Sequence, residues 1–158
     1  MFWYWESVVY AGIVWLAVFL LVGPGRLKEL WPVGFIASAV FLTVHLNFIS
    51  TGISRFSNGF LMIFGVPIFH LVWVFGAGIL LMNFMERDFT RKVIVVIIFA
   101  VLGLCLDLLS VSVGGHIHSP SFKPVNSFVL IFFWLIAFVW FSEGFFSERI
   151  YGEEKLIQ

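Results

Sequence analysis

The feature that most constrains this chain is where its charges are missing. No Asp, Glu, Lys or Arg falls between Glu6 and Arg26, from Leu30 to Ser54, from Phe56 to Met85, or from Pro124 to Ser142. Between Val93 and Phe122 the one such residue is Asp107. Each gap is long enough for a helix to cross ~30 Å of hydrocarbon, which takes about 20 residues. Backbone in lipid must satisfy its own hydrogen bonds, so a span is either a helix or part of a closed barrel. The alternating segments of ~10 residues that mark a barrel are not seen here. The chain therefore reads as all-α, a polytopic integral membrane protein. It forms a single transmembrane domain over 1–158, a bundle of about five transmembrane helices at roughly 5–23, 30–50, 59–85, 92–114 and 125–147.

Composition agrees. The chain is 61% hydrophobic and 11% charged, with 21 Phe and 7 Trp. A soluble domain is about half apolar and about a quarter charged, and a small one cannot hide this much apolar surface from water. The net charge is +0, so no basic field points to nucleic acid. The single Cys105 lies in an apolar run and reads as a small packing residue. No secretory signal peptide and no lipidation motif are expected.

Breakers separate the spans. Gly23-Pro24-Gly25 ends the first, and Pro32 falls in the first turn expected for the second, where a missing N–H costs little. Ser57-Asn58-Gly59 precedes the third, Gly114-Gly115 ends the fourth, and Pro120 and Pro124 bracket the last loop. Pro67 is expected to kink the third helix. Asp88 or Thr90 is expected to cap the fourth, and Asn126 the fifth.

Orientation follows from the basic residues. Arg26, Lys28, Arg87, Arg91, Lys92, Arg149 and Lys155 fall on one side of a five-span protein, against Arg55 and Lys123 on the other. Short cytoplasmic loops carry the Lys/Arg excess, which places the N-terminus outside and the C-terminus in the cytoplasm. Trp3, Tyr4 and Trp5 then read as an outer interfacial anchor and Trp31 as an inner one.

Ionisable groups inside a span are costly and mark functional sites. His45, His70 and Asp107 are such groups. At about 1.5 Å per residue, His45 lies ~21 Å above Trp31 and Asp107 ~22 Å above Lys92, so the two share a depth. His116 and His118 sit in the outer loop just above. Ala100, Gly103, Asp107, Ser110 and Gly114 form a small, polar stripe on the fourth helix, and Gly34, Ser38, His45 and Gly52 form one on the second. Such stripes let helices approach closely. Helices two, three and four are therefore expected to meet along them, with His45 near Asp107. Thr43 and Asn47 form a second polar stripe on helix two, and Asn47 is kept as a site candidate.

Three chemistries suit these residues. One is a structural Asp–His bond between helices. Another is a proton or cation site reached from outside. The third is a metal or haem site using His45, His70, Asp107, His116 and His118, because alternate residues of an extended loop face the same way. No nucleotide loop or nucleophile motif is present. The functional expectation is a non-enzymatic membrane protein whose outer-half pocket binds a small ligand or cation, or supports assembly with a membrane-protein partner or a second copy. A metal- or haem-binding enzyme or redox protein is the alternative.

The run Gly65-Val66-Pro67-Ile68-Phe69-His70 through Arg91-Lys92, with the late Phe145-Phe146-Ser147-Glu148-Arg149-Ile150-Tyr151, resembles small uncharacterised multi-pass membrane proteins of spore-forming Gram-positive bacteria. The resemblance implies a bacterial plasma membrane and carries no activity.

Overall fold

A computed structural model describes residues 5–57 and 59–152. Trp3, Tyr4, Asn58 and Lys155 lie outside the described residues. Five helices are found among the described residues: α1 (Glu6–Leu21), α2 (Pro24–Ser50), α3 (Ile68–Asn83), α4 (Phe89–Ser112) and α5 (Pro124–Tyr151). Three of them, α2, α4 and α5, are long and apolar enough to cross a membrane. Large apolar side chains stay outside, among them Ile13, Phe19, Leu20, Phe133, Trp140 and Phe145, each more than half exposed. That is far more apolar surface than a water-soluble monomer leaves in contiguous patches.

Four short strands gather at one end of the bundle. β1 (Ser54–Phe56) pairs antiparallel with β4 (His116–His118), and β2 (Met62–Ile63) pairs with β3 (Val66–Pro67). The opposite, basic end carries Arg26, Lys28, Arg87, Arg91, Lys92 and Arg149. There Arg26 donates to the carbonyl of Ile150. Lys92 Nζ lies 2.6 Å from Glu143 Oε1, an atom that also accepts from the Tyr151 hydroxyl.

Two helix boundaries differ from expectation. The third helix starts at Ile68, not near residue 59. Residues 62–67 form a hairpin whose two turn residues, Phe64 and Gly65, have φ of 50° and 83°. Positive φ at both positions matches the right-handed twist of the strands. Pro67 therefore kinks nothing. It is the N-cap of α3, with ψ 133°, because proline cannot extend the ladder and Val66 before it is driven to extended backbone. The second helix starts six residues earlier than expected, with Pro24 at its first position, so Pro32 sits inside it. Asp88 caps α4, accepting from the Arg91 N–H at 2.9 Å. Asn126 caps nothing, since the N-cap of α5 is Lys123 without a side-chain bond.

α3 is the centre, packed on α1 and α2. Trp15 Nε1 donates to Val72 O at 3.1 Å, and Ser38 Oγ donates to Leu71 O at 3.1 Å. The small stripe of α2 thus meets α3 as expected. The stripe of α4 does not. α4 packs chiefly on α5, and a side chain at Gly103 would meet Ile131 Cγ2 at 3.0 Å. Because α4 leans on α5 and barely touches α3, a cavity of about 710 Å³ opens between them.

Candidate metal centre

The site is assembled by the way α4 ends. Gly114, at φ 79°, turns the chain back, and the Gly115 N–H returns to Ser110 O at 2.9 Å. This is the left-handed helix stop that glycine makes easily. The chain then runs as β4, with Phe56 opposite His116 and Ser54 opposite His118. Side chains alternate along a strand, so Ile117 faces away while both imidazoles face Asp107.

Three ligand-type atoms converge there. His116 Nδ1 lies 2.8 Å from Asp107 Oδ1, His118 Nε2 lies 3.3 Å from the same oxygen, and the two nitrogens are 3.2 Å apart. The three side chains are nearly buried, at 9 to 12% exposure. Metal–ligand bonds of about 2.0–2.1 Å in tetrahedral geometry put ligand atoms about 3.3 Å from one another. The observed triangle has nearly that size. The same distances suit two imidazole N–H groups donating to one carboxylate oxygen, which accepts two bonds; among the described residues Asp107 Oδ2 has no bonded donor.

Buried polar atoms without partners among the described residues surround the cluster: the Tyr10 hydroxyl, Ser110 Oγ, Ser127 Oγ, Glu6 Oε2, His70 Nδ1 and His116 Nε2. Ser127 faces Asp107 and Ser110 faces Glu6, in both cases without a well-aligned bond. Glu6 is 3% exposed and lies over Gly115, where a Cβ would meet its Oε2 at 1.6 Å. Gly115 is therefore the residue that leaves room for a carboxyl beside His116. Native interiors leave few such groups unpaired, and each calls for a cause.

The histidines of α2 and α3 lie deeper and are held by aromatic rings. His45 stacks on Phe41 and Phe56 with centroids 3.8 and 5.4 Å away, and its Nδ1 contacts Phe41 O at 3.2 Å. His70 packs on Phe56 and Trp73 at 4.6 and 4.8 Å. The His45 ring is 5.9 Å from that of His116 and 6.4 Å from that of His70. His45, His70 and Asp107 all line the one cavity. Asp107, however, takes its partners from its own hairpin-like return and not from His45. Asn47 stands apart, exposed, with its Nδ2 donating to Thr43 O at 2.8 Å.

Glu6, Tyr10 and Ser127 were not among the candidates read from sequence. Glu6 marks the edge of a charge-free stretch and so looks like an interfacial residue. Its burial depends on Gly115, which is distant in the chain. Comparison of the chain with known protein families, with curated proteins and with solved structures finds no match.

Proposed function

We propose that this chain is a five-span membrane protein that binds one divalent transition metal ion, zinc by preference, through Asp107, His116 and His118. The observation that carries the reading is the triangle of 2.8, 3.2 and 3.3 Å among their ligand atoms. Two imidazoles and a carboxylate are the borderline donors that zinc takes, and three protein ligands leave one position open. Helices α1 and α3 have 16 residues each, or about 24 Å of rise, which is short of the ~30 Å core. Their reading as spans is supported by their surroundings. α3 is wrapped by its neighbours, and irregular backbone is tolerated at membrane depth where protein shields it. α1 presents Ile13, Leu16, Phe19 and Leu20 outward, all at least 60% exposed. The cluster of cations at the basic end supports a cytoplasmic position for that end. The metal centre then faces the outer half of the membrane.

The test is elemental analysis of the full chain purified in mild detergent without a metal-binding tag. Zinc near one equivalent per chain is expected, falling to background in His116→Ala/His118→Ala. Cobalt substitution should give the intense visible bands of a tetrahedral site. If the wild type holds no more zinc than the double variant, the cluster is a hydrogen-bonded Asp–His–His group and the reading fails.

A further inference from the structure

We propose that the cavity beneath this centre holds a long-chain fatty acid, its carboxylate in the open position of the metal and its chain lying along α4 toward the basic end. The proposal rests on the metal reading above and names the ligand of that same site.

Three observations carry it. The first is the shape of the polarity. Polar groups of the cavity gather at the β1–β4 end, around Asp107, His116, His118, Ser110 and Ser127. His45 and His70 lie just below them, and beyond these two imidazoles the wall is aliphatic and aromatic as far as Phe84 and Val95, with Glu86 at the mouth of the basic end. A single-chain amphiphile has that same division. The second is size. Between Val95 and Asp107 α4 rises about 18 Å, close to the ~15 Å depth of one leaflet of hydrocarbon. A volume of about 710 Å³ falls within the range of small-molecule pockets, ~300–1,000 Å³. The third is charge. A divalent ion with Asp107 and two neutral imidazoles leaves a single positive charge, which one carboxylate cancels and a phosphate dianion exceeds. The hydroxyls of Ser110, Ser127 and Tyr10, unpartnered among the described residues, are available as donors at this end.

The experiment uses the zinc-loaded full chain in detergent, irradiated with a palmitate probe carrying a diazirine near its methyl end. Labelling is expected on α3 and α4 lining residues near the basic end, such as Leu81 and Phe99. Excess palmitate should compete it away. Zinc chelation, or His118→Ala alone, should lower labelling at least about tenfold, as loss of a charged contact does. The matching alcohol and lysophosphatidate probes should label far less. Equal labelling by the alcohol would make the cavity a mere apolar slot, and stronger labelling by lysophosphatidate would make the ligand a phosphate; either overturns the proposal. Zinc bound at one equivalent without competable labelling sinks this inference and leaves the metal reading standing. Absence of zinc from the wild type sinks both.

Discussion

Gly78 of α3 is the point at which the frame of the cavity can be tested. A Cβ there would lie 2.5 Å from Ala37 Cβ of α2 and 3.2 Å from Phe138 Cζ of α5. Carbon atoms rest at about 3.5–4.0 Å, so Gly78→Ala must drive α2 and α3 about 1 Å apart. Overpacking of this kind costs about 1–3 kcal/mol. Replacing a helical glycine by alanine returns about 1 kcal/mol of helix propensity. The net expectation at the upper part of that range, with two neighbours obstructed, is a loss of about 1–2 kcal/mol, or roughly 2–8 °C in Tm for a chain of this size. The assay is thermal unfolding in detergent followed by tryptophan emission. Gly12→Ala is the control, because nothing lies within 4 Å of its added methyl; it should be neutral or stabilising by up to about 1 kcal/mol. Ala37→Gly removes the opposing methyl. The pair Ala37→Gly/Gly78→Ala should therefore recover at least about 1 kcal/mol relative to the sum of the singles. If Gly78→Ala is as harmless as Gly12→Ala, or if the pair adds within about 0.5 kcal/mol, the close approach of α2 and α3 is not as described.

Other expectations are shorter. Gly115→Ala should leave Tm nearly unchanged, since a flexible carboxyl can move aside, yet it should lower zinc affinity about tenfold by evicting Glu6 from beside His116, the scale of lost support around metal ligands; zinc titration of the purified variant checks this. Asp88→Ala removes the α4 cap and should cost about 1 kcal/mol, read as a lower Tm with zinc binding intact. In a Cys105→Ser background, Ser121→Cys should react with a membrane-impermeant maleimide on intact cells and Arg87→Cys only after lysis; the reverse pattern would invert the topology.

Much of the helical frame was legible because charge is expensive in hydrocarbon. The gaps between charged residues locate five helices to within a few residues at most of their ends. Two starts are exceptions: α2 begins at Pro24, ahead of the charged Arg26, Lys28 and Glu29 that read as a loop, and α3 begins late. Residues 59–67 are as apolar as the helix that follows, so hydropathy cannot separate them. The separation is made by backbone chemistry, with Gly65 at positive φ and Pro67 unable to donate. Both residues are visible in the sequence, but a lone Pro inside an apolar run reads equally as a kink or as a start. Only the β2–β3 hairpin, made by Met62–Ile63 folding onto Val66–Pro67, decides for the start.

The site divides along the same line between what depth reveals and what it cannot. Counting residues puts His45 and Asp107 at one height, and they do line one cavity. Height carries no information about direction around the bundle, and the small stripe of α4 seats it on α5 through Gly103 and Ile131, not on α2. What brings Asp107 its partners is local. A helix stop at Gly114 returns the chain as an extended strand, and an alternating His116-x-His118 then faces back onto the same helix end. The spacing from Asp107 to the two histidines is thus set by one turn and one strand, without any helix–helix contact. Asp107, His116 and His118 are held together by one helix end and its return strand, whereas the cavity wall is shaped by how α4 sits beside α3.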